Sequence, residues 1–188
     1  MVTPDPTVRL ARAGDMPAVC ELVNHYIATS AVNFNTEPRT AEQWLGQWRQ
    51  HGGEYPWYVA ETPGCEVAGL AYAGPWSPRG AYAWTVETTV YVDHRHRGLR
   101  LGTALYRRLL DTLREQGFRT ALAGVVLPNP GSEALHRALG FAPVGVLAQA
   151  GYKQGTWWDL SYWQLRFRTD GAAPAPVVAP GETQSGRG

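Results

Sequence analysis

The chain is poor in cysteine, in methionine and in net charge. Only Cys20 and Cys65 occur among 188 residues, too few for a disulfide scaffold and not in a metal-ligand spacing. A reduced, cytosolic protein that uses no metal is the simplest reading. Lysine and arginine exceed aspartate and glutamate by one, 17 against 16, which leaves no basic surface to attract nucleic acid. No stretch approaches the ~20 apolar residues of a membrane span. The first seven residues show no basic start followed by an apolar run, so no signal peptide is expected. Phenylalanine is scarce at four, yet there are eight tryptophans and nine tyrosines. These residues pair an apolar body with a polar handle and suit pockets and interfaces as well as cores. With 44% hydrophobic and 18% charged residues, the chain can bury a core large enough for one domain.

The pattern of elements alternates. Val8 to Ala11 reads as a short strand. Asp15 is placed to cap a helix with Pro17 in its first turn and Val19, Leu22, Val23, Tyr26 and Ile27 on one face. A loop at 33–39 precedes a second helix capped by Thr40, carrying Trp44, Leu45 and Trp48. Strands follow at Trp57 to Ala60 and Glu66 to Ala73, then a loop rich in glycine and proline from Gly74 to Gly80. The next strand, from about Trp84 to Val92, puts Val86, Thr88, Val90 and Val92 on one face. Thr85, Glu87, Thr89 and Tyr91 take the other. A helix with Leu101, Leu105, Leu109 and Leu113 on one face comes next. It is followed by a strand at Thr120 to Leu127 and a short helix capped by Ser132. Two strands, about 142–152 and 157–167, close the pattern. The order β-α-α-β-β-β-α-β-α-β-β is that of a mixed α/β layer fold. From 169 to 188 alanine, proline and glycine dominate without an aromatic, so a folded domain over 7–168 and a disordered tail are expected.

The segment from Val90 to Leu110 carries the most chemistry. A strand ends, a basic turn follows, and a helix begins. The first amides of a helix lack intrahelical partners and sit at the positive end of its dipole, a ready site for a pyrophosphate. Arg95, Arg97 and Arg100 add positive charge, while Gly98 and Gly102 permit close backbone approach. The same pattern also fits a solvated basic turn.

Arg97-Gly98-Leu99-Arg100-Leu101-Gly102 resembles the acetyl-CoA motif of the GNAT N-acetyltransferases, Arg/Gln-x-x-Gly-x-Gly/Ala. Asn129, Ser132, Leu135, His136, Leu139, Gly140 and Phe141 resemble the second motif of that family. Further stretches are similar to its phosphinothricin N-acetyltransferase branch: Val23-Asn24-His25-Tyr26-Ile27, Val32-Asn33-Phe34, Ala71-Tyr72-Ala73-Gly74-Pro75-Trp76 and Glu87-Thr88-Thr89-Val90-Tyr91-Val92. The resemblance implies a GNAT-type fold, with a mostly antiparallel sheet of six or seven strands and helices on both faces. It also implies acetyl-CoA as cosubstrate and a homodimer. The activity implied is N-acetylation of a small amino acid with a phosphinate or similar head, which serves detoxification or antibiotic self-resistance.

Site residues follow from that likeness. Glu87 is expected as general base for the acceptor amine and His136 as proton donor to the leaving thiolate. Tyr91 is expected to hydrogen-bond the oxyanion or the amine relay. Val90, Tyr91, Val92, Arg97, Gly98, Leu99, Arg100, Leu101, Gly102, Thr103, Asn129 and Ser132 are expected along the cofactor. Phe34, Tyr72, Arg79, Tyr82, Gly124 and Val125 are expected around the acceptor. Two positions depart from the family. Arg100 stands where it usually has its first glycine, and Ser77 where the branch commonly has a lysine. The second departure removes a cation from the acceptor pocket and makes methionine sulfone or sulfoximine a competitor. Acetylation of a protein N-terminus and a non-catalytic acyl-CoA sensor are the rival readings.

Overall fold

A computed structural model describes residues 7–62, 65–96 and 98–181. Arg97 lies outside them. The strands are β1 (Thr7–Leu10), β2 (Trp57–Thr62), β3 (Cys65–Pro75), β4 (Thr85–Val92), β5 (Thr120–Leu127), β6 (Ala142–Lys153) and β7 (Thr156–Arg166). They form one sheet in the order β1-β2-β3-β4-β5-β7-β6. Every neighbouring pair is antiparallel except β4 and β5. The helices are α1 (Met16–Thr29), α2 (Ala41–His51), α3 (Leu101–Gln116) and α4 (Pro130–Ala138).

Alternation along β4 sorts the chain into two cores. Val86, Val90 and Val92 pack with Leu101, Leu105, Leu109 and Leu113 of α3 on one face of the sheet. Tyr91 points the other way, into the cluster formed by α1, α2 and the Trp57 side of β2. A strand's period of two and a helix's period of 3.6 permit this division.

The helix ends show where local signals held. Thr40 accepts from the Gln43 amide, and the Gln43 side chain returns to the Thr40 amide, a reciprocal cap on α2. Gly117, at φ 98°, ends α3 in a left-handed turn, with the Phe118 amide donating to the Leu113 carbonyl at 3.1 Å. Two expected caps differ in detail. Asp15 holds the N-cap position of α1, but its side chain gives the helix amides no bond. Its carboxylate is taken by the Arg12 amide at 2.7 Å and by the Arg9 guanidinium at 2.7 and 2.8 Å, and a 3-10 turn at Ala13–Asp15 leads into the helix. At α4 the cap is Asn129, whose Oδ1 accepts from the Ser132 amide at 3.1 Å, with Pro130 in the first turn.

Residues 169–181 carry no helix or strand, but they are tied to the domain. Arg119 pairs with Asp170 at 2.6 Å, and the Trp84 indole donates to the Ala175 carbonyl at 2.8 Å. Val177 packs on the α3 core. Buried Gln116 donates to the carbonyls of Glu54 at 2.9 Å and Val178 at 2.8 Å, and its own carbonyl accepts from the Val178 amide. A Gln116→Leu variant leaves two carbonyls without that donor. It should lose about 1–3 kcal/mol, since an orphaned buried polar group forfeits its desolvation cost. Thermal unfolding should show the loss, and removing residues 169–188 first should make it smaller.

Candidate active site

β4 and β5 pair only from Thr85↔Thr120 to Glu87↔Leu122. Beyond that register the two strands separate, although β4 continues to Val92 and β5 to Leu127. The gap opens into a cavity of 930 Å³. Glu87 stands where the ladder ends. Val90, Tyr91 and Val92 line one wall, and Gly124 and Val125 the other. Gly98, Arg100, Leu101, Gly102 and Thr103 close one end, where α3 begins, while Asn129, Ser132 and His136 of the α4 segment also line it. Phe34 reaches the cavity from the loop after α1.

The α3 end is built for an anion. Arg100 is the N-cap residue but gives no side-chain bond to the first-turn amides, so those amides keep their donors for a ligand. Arg100 has φ 56° and Gly98 φ 83°. The left-handed region explains why glycine is common at this point of the family motif, and why a side chain there costs on the order of 1 kcal/mol. Arg95 does not line the cavity. Its guanidinium binds the Asp93 carboxylate at 2.6 Å, and that contact holds the Asp93 carboxyl well below the ordinary carboxylate range.

Glu87 opens into the cleft rather than onto a convex surface, and the surrounding walls push its carboxyl above the ordinary glutamate range by desolvation. Tyr91 is raised too, first by burial and then by the neighbouring Tyr72, so its phenol keeps its proton. Asn33 donates from Nδ2 to the Tyr91 oxygen at 2.8 Å. Since an amide N–H can only donate, the Tyr91 O–H is left to point elsewhere. Asn33 is itself fixed: its carbonyl accepts from buried Lys153 Nζ at 2.7 Å, and its Oδ1 accepts from the Asn35 amide at 2.7 Å. A Cβ at Gly151 would fall 2.6 Å from the Phe34 ring, so the β6–β7 hairpin and the Phe34 loop fit only with glycine there. The grip of Lys153 on Asn33 spans 120 residues of sequence.

Not every expected residue joins the cavity. Leu99 is exposed, and Tyr72 sits behind the wall, stacked on Trp57 at 4.4 Å. Arg79 and Tyr82 lie on the exposed loop between β3 and β4, outside the cavity wall. His136 is buried at 3% exposure, and neither ring nitrogen is free: Nδ1 lies 2.7 Å from the Ser132 carbonyl and Nε2 3.1 Å from the Tyr106 hydroxyl. Burial holds its pKa below the usual histidine value. Thr88 and Tyr106, which the sequence reading did not single out for chemistry, complete this buried group. Among the described residues no group of His, Cys, Asp or Glu is placed to hold a metal, and no helix is long and apolar enough to cross a membrane.

A mixed sheet whose parallel pair splays at a partly desolvated glutamate, beside a helix start open to an anion, defines an acyl-carrier-dependent transferase. Residues 19–141 match the Acetyltransferase (GNAT) family, and the chain belongs to it. The phosphinothricin N-acetyltransferase of Streptomyces viridochromogenes is 52% identical over 170 residues, covering 90% of this chain and 92% of that protein. The L-methionine sulfoximine/L-methionine sulfone acetyltransferase of Salmonella typhimurium is 36% identical over 89% of this chain and 98% of that protein. The crystal structure of a phosphinothricin acetyltransferase from Sinorhizobium meliloti in complex with acetyl-CoA superposes with a TM-score of 0.86. It is 31% identical and covers 91% of this chain and 94% of that one.

Proposed function

We propose that this protein transfers the acetyl group of acetyl-CoA to the amino group of phosphinothricin or a closely related small amino acid. The observation that carries the reading is the splayed β4–β5 cleft, which joins Glu87 to the α3 amides in one cavity. The first amides of α3, with Arg100, take the diphosphate, and Arg97 is assigned to the same anion by the motif. Asn129 and Ser132 flank the pantetheine arm. Glu87 removes a proton from the acceptor ammonium, and the freed amine attacks the thioester carbonyl carbon. The Tyr91 O–H, turned by Asn33, donates to the oxyanion. The C–S bond then breaks as the acetylated nitrogen gives up its second proton, which the departing thiolate takes up.

Phe34, Gly124 and Val125 wall the acceptor end in this reading. The parts of Tyr72, Arg79 and Tyr82 rest on the family likeness, as they stand outside the wall. Ser77 favours the second acceptor class, since one fewer cation suits a less anionic head such as methionine sulfone or sulfoximine. A cytosolic enzyme of self-resistance or detoxification is the matching role, and a homodimer the matching assembly. Val144, Val146 and Leu147 on edge strand β6 are each more than half exposed, an apolar stripe that a second subunit would cover.

A thiol-release screen over phosphinothricin, methionine sulfone, methionine sulfoximine and an N-terminal peptide tests the reading. Release with at least one of the three amino acids and none with the peptide is expected. Acetyl-CoA binding without release from any acceptor would instead support the sensor.

A further inference from the structure

Three buried side chains meet where β4 and β5 part. Thr88 Oγ1 lies 2.6 Å from the Tyr106 hydroxyl, which lies 3.1 Å from His136 Nε2. All three are at most 3% exposed. Thr88 Oγ1 also lies 3.1 Å from the Leu122 carbonyl, at the last residue of the ladder.

The proton positions follow from which atoms can donate. A carbonyl only accepts, so the 2.7 Å contact with the Ser132 carbonyl requires the proton on His136 Nδ1. A neutral imidazole has one N–H, so Nε2 is then an acceptor, and the Tyr106 O–H is the donor it meets. The Tyr106 oxygen in turn accepts from Thr88. The opposite arrangement sends the Thr88 proton to Leu122 and the Tyr106 proton to Thr88. His136 Nε2 must then carry its own proton, which makes an imidazolium in a buried site. The Ser132 carbonyl favours that charge, but burial of the ring opposes it more strongly. Phe141 stands edge-on at 5.1 Å and Trp163 at 6.1 Å. The nearby Arg137 cation lies over Trp163 at 5.3 Å, and the Glu87 charge reaches Tyr106 rather than the ring.

We infer that Ser132 and Tyr106 lock His136 as a neutral imidazole protonated on Nδ1, so that Thr88, Tyr106 and His136 position the root of the cleft and His136 carries no proton between the reactants. The lock ties β4, α3 and α4 together one residue beyond Glu87, where backbone pairing between β4 and β5 stops. With the Thr88 proton given to Tyr106, the Leu122 carbonyl 3.1 Å away receives no bond from Thr88, and the strands are free to diverge past the last rung of the ladder. Only the kinetic arm of the test rests on the proposed acetyl transfer.

Nitrogen-15 NMR of the full chain reads the ring directly, with the His136 signals identified by their loss in His136→Gln. The expected spectrum is the Nδ1-protonated neutral tautomer, unchanged across the range where an ordinary histidine titrates. In Tyr106→Phe the neutral form loses its donor, so the imidazole pKa should rise and the ring should begin to titrate. The His136→Gln carbonyl can still accept from Tyr106. Its kcat should therefore stay within about tenfold of wild type, whereas losing a proton carrier costs roughly 10²–10⁴-fold. Its acid limb, set by Glu87, should not move. An Nε2-protonated ring, or a wild-type ring that titrates near neutrality with kcat following, overturns the lock. So does a folded His136→Gln protein that loses the larger factor. Should His136→Gln fail to fold, the shift of the ring signals in Tyr106→Phe identifies them, and the tautomer decides. If no acceptor is acetylated, the function fails but the tautomer still tests the lock.

Discussion

Glu87→Gln is expected to lower turnover by roughly 10²–10⁴-fold, the usual scale for losing a positioned base, while acetyl-CoA binding stays nearly unchanged. The amide keeps the size and polarity of the carboxylate but cannot take a proton from an ammonium. Glu87 lies at the register where the β4–β5 ladder ends, and the proposed diphosphate site lies at the α3 end of the cavity, which is why the two effects separate. The pH dependence has a fixed sign. Desolvation raises the Glu87 pKa above the ordinary glutamate range, and only the ionised form accepts a proton. Wild-type turnover should therefore fall as pH drops through that raised value and recover above it, and the glutamine variant should lack this limb. Steady-state rates across pH, with acetyl-CoA affinity from calorimetry, check both statements. A variant with near-normal turnover at neutral pH removes Glu87 from the chemistry.

Leu105→Ala should cost about 2–5 kcal/mol, the range for truncating a fully buried leucine. Leu105 is 0% exposed on the sheet-facing side of α3. A Cβ at Gly69 of β3 would fall 2.8 Å from its Cδ1 and 3.1 Å from the Tyr91 carbonyl. Gly69→Ala alone should therefore destabilise by overpacking, about 1–3 kcal/mol. The double variant should be more stable than the sum of the two losses predicts, because the added methyl occupies space that the leucine vacated. It should not return to wild type, since the carbonyl contact remains. Denaturant unfolding of the four proteins gives the coupling directly. Strict additivity would mean that Gly69 is not needed for the approach of α3 to the sheet. Relief of the contact matters for the proposed function as well, because α3 carries the proposed anion site at its first turn.

Much of this protein follows from short-range pattern. The alternation of Val86, Thr88, Val90 and Val92 against Glu87, Thr89 and Tyr91 determines which face of β4 meets α3, because strand side chains alternate strictly. The four leucines of α3 and the Thr40 cap are equally local, and they stand where the sequence puts them. The motif from Gly98 to Gly102 falls at the start of α3 on the cavity wall for the same reason: strand, turn and helix are contiguous. What the sequence could not determine is which partner each polar group meets. The Asp15 carboxylate stands at the N-cap of α1 but is held by the Arg9 guanidinium and the Arg12 amide, and a charged partner in reach outcompetes a helix amide. Arg95 is lost to the anion site because Asp93 takes it. The His136 ring looks equally able to give or accept a proton in the sequence. Only packing brings the Ser132 carbonyl to one nitrogen and the Tyr106 hydroxyl, 30 residues away, to the other. Periodicity constrains which face a residue occupies, but the partner that meets it there is chosen by how helices and strands close on one another.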